Sequence, residues 1–205
     1  MRRTLPAALA LTLLATHLDT ASLHAQESTT RGFNLGLHVS GASFEPEDGD
    51  GSNAGGGGIF VGYGFNRSFQ LFLQIDGAEF DVDETEVDGR WRMAHGDLGV
   101  RYHFANSLRS WVPYLQAALT GRGVSVEDAE VNQTTQTARV GIIGGALTLG
   151  GGLLVYFNET FALDLQLALS GGEFTEAKIG DVTLTLSEPY QATTTRFNIG
   201  VSWWP

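Results

Sequence analysis

Phe161-Ala162-Leu163-Asp164-Leu165-Gln166-Leu167-Ala168-Leu169-Ser170 alternates without exception: Phe161, Leu163, Leu165, Leu167 and Leu169 share one parity, and Ala162, Asp164, Gln166, Ala168 and Ser170 the other. In an extended chain successive side chains point to opposite faces, so a period of two makes one bulky apolar face and one small or polar face. The segment is predicted to be a β-strand with two chemically different surroundings.

The same pattern recurs about eight times between Thr30 and Pro205. Phe33, Leu35, Leu37 and Val39 alternate with Asn34, Gly36, His38 and Ser40 in a first strand near 32–44, and Ile59, Val61, Tyr63 and Phe65 mark a second near 58–65. Phe69, Leu71, Leu73 and Ile75 mark the third. Leu98, Val100, Tyr102 and Phe104 mark the fourth, opposite His95, Asp97, Gly99, Arg101 and His103. A fifth strand is predicted over 111–122, and a sixth, glycine-rich one over 140–157. Phe197, Ile199, Val201 and Trp203 close the series in a last strand that begins near Ala192.

Connectors alternate in length, short after the second, fourth and sixth strands and long after the others. The long ones are read as 45–58, a segment around 81–89, a segment after Arg122, and one ahead of Ala192. Aromatics flank the short turns: Phe65 and Phe69, Phe104 and Trp111, Phe157 and Phe161, with Trp203 and Trp204 at the chain end. A loose internal repeat, Gly-Phe-Asn-Arg-Ser-Phe at 64–69 and Tyr-Phe-Asn-Glu-Thr-Phe at 156–161, encloses two of these turns. Short turns on one rim and long loops on the other are the signature of an up-and-down barrel, and a ring of aromatics at one rim suits a membrane interface.

Arg2 and Arg3, the apolar run Leu5–Ala15, and a small residue at Ala25 have the form of a secretory signal, so residues 1–25 are read as a signal peptide and 26–205 as one barrel domain. The remainder lacks a stretch of about 18 consecutive apolar residues, so any crossing of a membrane must use strands. There is no cysteine, which excludes disulfides, thiolate metal sites and a cysteine nucleophile. The net charge of −11 argues against nucleic acid as a partner.

A soluble barrel of the lipocalin kind shares this size and alternation but points its apolar side chains inward. Here the polar parity is also the small, glycine-rich one, which fits a crowded interior and a lipid-facing exterior. On these features the chain resembles the small outer-membrane β-barrel family, the eight-stranded OmpA-like and OmpX-like type. The resemblance implies an all-β, antiparallel, transmembrane barrel in the cell outer membrane. Its implied partners are outer-membrane lipid, lipopolysaccharide and the barrel-assembly machinery, which reads alternating apolar residues ending in an aromatic. Phe197, Ile199, Val201 and Trp203 keep that parity, although Pro205 stands last.

The interior parity collects Asp76, Asp97, Arg101, Asp164 and Arg196, together with His38, His95, His103 and several glutamines. Counted from the aromatic rim, Asp76, Asp97 and Arg196 fall at similar depth, with Arg101 and Asp164 nearer the rim. Opposite charges at matching depth point to ion pairs, because buried charges persist only when paired and hydrogen-bonded. His38 and Ser40 share a face, as a base and nucleophile must, but no orienting acid accompanies them in the sequence, and no enzyme is predicted. No cofactor or metal is expected. Fifteen of the 23 acids fall in the long connectors, which places them at the external rim without the ordered spacing of a calcium loop. The expected function is a monomeric outer-membrane protein with a structural or surface-interaction role. A narrow pore for ions or small solutes is the second reading, and a soluble binding barrel the third.

Overall fold

The computed structural model describes residues 30–47, 51–80, 90–104, 110–130, 137–180 and 182–205. Every regular element among them is a strand: β1 (Gly32–Pro46), β2 (Ser52–Gly64), β3 (Phe69–Phe80), β4 (Arg90–His103), β5 (Trp111–Glu130), β6 (Thr137–Tyr156), β7 (Phe161–Ile179) and β8 (Val182–Trp203). Each pairs antiparallel with its chain neighbour, and β8 returns to β1 to close the sheet. Closure removes both free edges, so every strand along the barrel has two partners.

The register sets the shape. Leu35 pairs with Val61, and the rung continues through Leu73, Leu98, Leu119, Leu147, Gly171 and Thr193 to reach β1 again at Glu45, ten residues above its start. Ten residues of stagger over eight strands correspond to a tilt of about 40° from the barrel axis. At that girth the interior is just wide enough for its own side chains.

The alternation resolves inside out. Leu37 (69% exposed) and Leu119 (71%) stand on the outer surface, while Gln70, Gln74, Asp97, Arg101 and Arg196 are at most 1% exposed inside. A ligand-binding barrel of the soluble kind requires the reverse. Gly152 shows how tightly the interior is filled: a Cβ there would overlap the Tyr114 hydroxyl and the Leu165 carbonyl.

The two halves of the internal repeat form the same turn. The Asn66 side-chain oxygen accepts from the backbone N–H of Ser68 (2.8 Å) and Phe69 (2.9 Å), and the Asn158 oxygen accepts from Thr160 (2.9 Å) and Phe161 (2.8 Å). An asparagine that bonds two and three residues ahead replaces a backbone turn, which suits it to a tight strand connection.

The strands run further toward the external end than the sequence pattern indicates. The glycine-rich stretch expected to be part of a connector belongs to β2 from Ser52 onward, where Gly55, Gly56, Gly57 and Gly58 pair with Gly41, Ser40, Val39 and His38. The segment expected to be a loop ahead of Ala192 is a hairpin, with Ile179 opposite Val182 and Gly180 at φ 58° in its turn. Glycines pair as well as leucines do but leave no apolar alternation to read, whereas in the hairpin Val182, Leu184 and Leu186 alternate with Thr183, Thr185 and Ser187. The signal segment 1–25, the acids Asp48, Asp50, Asp181 and those at 81–88, and most of the short connector 105–110 lie outside the described residues.

Candidate functional site: a charged interior and an aromatic rim

Inward parity on seven of the strands brings polar side chains to the barrel axis in layers. In the layer nearer the short turns, Arg101 of β4 lies fully buried. Its Nε and Nη2 donate to Gln116 Oε1 (3.2 and 3.0 Å), and its Nη1 donates to Asp164 Oδ2 on β7 (3.1 Å). The Tyr114 hydroxyl donates to the other Asp164 oxygen at 2.6 Å. The guanidinium lies over the rings of Phe60, Phe72 and Tyr114, with centroids 4.4, 5.6 and 3.9 Å away. Each ring face attracts the cation, so the arginine is stabilised by quadrupoles as well as by its carboxylate.

One layer further along, Arg196 reaches across from β8. Its Nη1 donates to Asp76 Oδ2 on β3 (2.5 Å), and its Nη2 to Asp97 Oδ2 on β4 (2.7 Å) and to Ser170 Oγ (3.2 Å). Asp76 is also bonded to His38 Nε2 and accepts from Gln74 Nε2 through both oxygens (3.1 and 3.0 Å). Gln74 and Gln166 exchange amide hydrogen bonds of 3.3 and 3.2 Å, and Asn198 Nδ2 donates to Gln166 Oε1 at 2.6 Å. The void beside His38, Gln74 and Asn198 measures about 10 Å³, room for about one water.

The five charged residues singled out in the sequence thus meet as two groups, Arg101 with Asp164 and Arg196 with Asp76 and Asp97. Arg122 was missed. It is 3% exposed, its Nη2 donates to the carbonyls of Gly172 (2.6 Å) and Ala192 (2.8 Å), and its guanidinium covers Phe174 at 4.5 Å. The signal was available: Arg122 follows Thr120 on the inward parity of β5. With it, the interior holds three aspartates and three arginines among the described residues. Above Arg122, Phe44 packs edge-on to Phe80 and Phe174 with centroids 6.2 and 6.1 Å apart, amid Ala42, Ala54, Ala78 and Met93.

His38 Nε2 is hydrogen-bonded to Asp76, which Arg196 also holds, so the acid that the sequence did not reveal beside His38 and Ser40 is Asp76, and it ties this imidazole into the lumen network. Among the described residues no group of three or more His, Asp or Glu side chains could hold a metal ion.

At the rim of short turns, Phe65, Phe69, Phe104, Trp111, Phe157, Phe161 and Trp203 all lie exposed on the outer face. Phe33, Tyr63 and Tyr102 join them: Phe33 and Tyr63, Phe69 and Tyr102, and Tyr102 and Phe104 each stand 5.1 Å apart edge to face. Trp204 departs from the expected ring. It is 1% exposed and packs inside against Tyr156 at 5.3 Å, in a cluster with Val112, Leu154 and Ala162. The reason is parity: Trp203 faces out, so the next residue must face in.

A family model described as the outer membrane protein beta-barrel domain matches residues 7–203. Among solved structures, Neisserial surface protein A is similar at 14% identity and a TM-score of 0.61, over 84% of this chain and 96% of that one. OprG from Pseudomonas aeruginosa (12% identity, TM-score 0.56) is matched over 84% of this chain and 96% of its own. Ail, the attachment invasion locus protein of Yersinia pestis (12%, TM-score 0.52), is matched over 84% and 99%. At these identities the likeness is one of fold. No curated protein matches the chain.

Proposed function

We propose a function from a fixed premise: this chain belongs to the outer membrane protein beta-barrel domain family and sits in the cell outer membrane. On that premise it is a monomeric, non-enzymatic barrel with a closed polar lumen. It serves as a rigid anchor that presents its external hairpins and acidic loops to lipopolysaccharide and other surfaces. The barrel-assembly machinery inserts it, reading the outward Phe197, Ile199, Val201 and Trp203 of β8.

The observation that carries this reading is the reach of Arg196 across the interior to two carboxylates on the opposite wall, with both ion pairs 4% exposed or less. A permeating ion would have to displace a guanidinium and leave two buried aspartates without its charge, a loss of about 3–5 kcal/mol. The Arg101 stack below and the Phe44 cluster above narrow the same axis. Function then resides outside the lumen, on the loops and the outer surface.

Conductance across planar bilayers tests this. The native protein should insert without steady ion current, and Arg196→Ala should add current, if any, only on loss of its strut. Steady conductance of the native protein, altered by Asp97→Asn, would replace the closed anchor with a narrow pore.

A further inference from the structure

The apolar lining of the external end does not stop where the barrel does. One rung carries Phe80, Trp91, Val126, Val140, Ile179 and Val182 across β3 to β8. Its neighbour carries Met93, Val124, Ile142, Ala177 and Leu184 across β4 to β8. Cross-strand partners face the same side, and Ile142 packs on the cluster around Phe174, so these side chains turn toward the barrel axis. Burial is lost along the way: Phe80 is 8% and Val126 4% exposed, whereas Ile179 is 43%, Leu184 51% and Val182 58% exposed. The other side of the β7–β8 hairpin holds Glu176, Lys178, Thr183 and Thr185. The hairpin is therefore amphipathic, with its apolar side inward and uncovered.

Lipid does not reach that side. At about 2.5 Å of height per residue, Val182 stands about 40 Å above Phe69, beyond an apolar band of about 25 Å. The rim across the mouth is lower. A rung climbs about 25 Å per circuit, so Trp91, half a circuit back from Val182, lies about 12 Å below it. Phe44 and Trp91, partly buried on top of the cluster, form an apolar floor there.

The base of the hairpin is irregular. The ladders from β1–β2 to β4–β5 keep one register throughout, whereas β5–β6, β6–β7 and β7–β8 each shift toward the external end. Thr175 alone opposes Leu186–Pro189, and β1 accompanies β8 only as far as Gln191. Extra residues of this kind bend a strand. Above them β7 is the one partner of β8 among the described residues. Glu176–Ile179 is about 13 Å long, against a barrel about 16 Å across, so a hairpin bent inward at Thr175 spans the mouth from its own wall to Trp91.

We infer that the β7–β8 hairpin is a lid, hinged at Thr175 and Leu186–Pro189, which folds over the mouth and lays Ile179, Val182 and Leu184 on Trp91 and Phe44. Removal of these side chains from water drives the closure. The closed lid continues the apolar cluster across the mouth and shows the outside its threonines, Glu176 and Lys178. The lid does not depend on whether the lumen conducts, and it fixes which side of the hairpin the anchor presents.

The chain has no cysteine, so pairs introduced into the full mature protein, folded in lipid vesicles, report closure without background. Val182→Cys and Trp91→Cys stand about 20 Å apart with the hairpin upright, and a disulfide needs about 7 Å or less between Cα atoms. Mild oxidation should nonetheless link this pair, read as a reductant-sensitive change in gel mobility. Thr183→Cys with Trp91→Cys, approached from the polar side, should link about tenfold more slowly. Leu184→Asp, which charges the apolar side, should slow the Val182 pair about tenfold, and Thr185→Asp should leave it near its original rate. Ile179→Cys with Val182→Cys, ladder partners, should link in either position of the lid and so verifies access of the oxidant. A Val182 pair that stays open while the ladder pair links would overturn the lid, as would linking that Leu184→Asp leaves unchanged. A ladder pair that fails to link would overturn it too, since the hairpin would then be absent. A heat-dependent gel shift on each sample reports the closed barrel separately. Where Leu184→Asp loses that shift, the Thr183 pair decides: linking as fast as the Val182 pair would overturn the lid.

Discussion

Arg196 and Asp97 meet from opposite walls of the barrel, Nη2 to Oδ2 at 2.7 Å, each side chain 1% exposed. The pair ties β8 to β4, strands that share no backbone ladder. It converts a ring of neighbour-to-neighbour hydrogen bonds into a cross-braced tube.

Breaking that brace on one side should cost more than removing it whole. Arg196→Met leaves Asp76 and Asp97 buried without their cation and should destabilise the barrel by about 3–5 kcal/mol. Adding Asp76→Asn and Asp97→Asn should recover most of the loss. Urea titration of the folded, fast-migrating gel band measures both, and an unchanged midpoint for Arg196→Met would show that the brace contributes nothing.

Arg101 combines a carboxylate, an amide oxygen and three ring faces, geometry that a planar guanidinium meets and an ammonium does not. Arg101→Lys should therefore lower stability by about 1–3 kcal/mol although the charge is kept. A Lys variant as stable as the native barrel would mean that only the charge matters there.

The two adjacent tryptophans should behave as opposites. Trp204→Ala empties a packed interior site and should cost about 3–5 kcal/mol, whereas Trp203→Ala, on the outer rim, should cost far less. In vesicles with brominated acyl chains, emission from Trp203 should be quenched and that from Trp204 retained. Equal quenching of single-tryptophan variants would put both on the lipid face.

Asn66 and Asn158 each hold a tight turn through two backbone N–H groups. Replacing either with alanine should lower stability by about 0.5–1.5 kcal/mol, the usual net worth of exposed hydrogen bonds. The double variant should show nearly the sum, since the two turns share no partner. Strongly non-additive unfolding midpoints would show that the turns act on one another.

Cleavage at the predicted signal boundary leaves a mature chain beginning at Gln26. Intact mass of protein recovered from outer membranes measures this directly, and a mass that retains residues 1–25 would make the segment an anchor.

The alternation in Phe161–Ser170 and its repeats carried the strand count, the all-β class and the sense of the barrel, because side-chain parity in a strand is local and admits one periodicity. Depth along each strand was legible for the same reason, so Asp76, Asp97 and Arg196 could be placed at one level by counting. The external reach of β2 was not legible, because Gly55–Gly58 pair through backbone atoms that carry no sequence signature. The β7–β8 hairpin did carry one, in Val182, Leu184 and Leu186 alternating with Thr183, Thr185 and Ser187, but both faces of its outer end lie exposed, so no buried face marks it as part of the barrel.

What the amino-acid order determined by itself is which side chains face lipid and which face the axis. It determined this residue by residue, since a period of two needs no knowledge of any other strand. Which inward charges touch was decided only by closure: the ten-residue stagger fixes which level of β8 lies across from β3 and β4, and so hands Arg196 two aspartates and Arg101 one. Closure likewise set Trp204, inward by parity, against Tyr156 of β6. A register is a relation between strands, and no strand contains it alone.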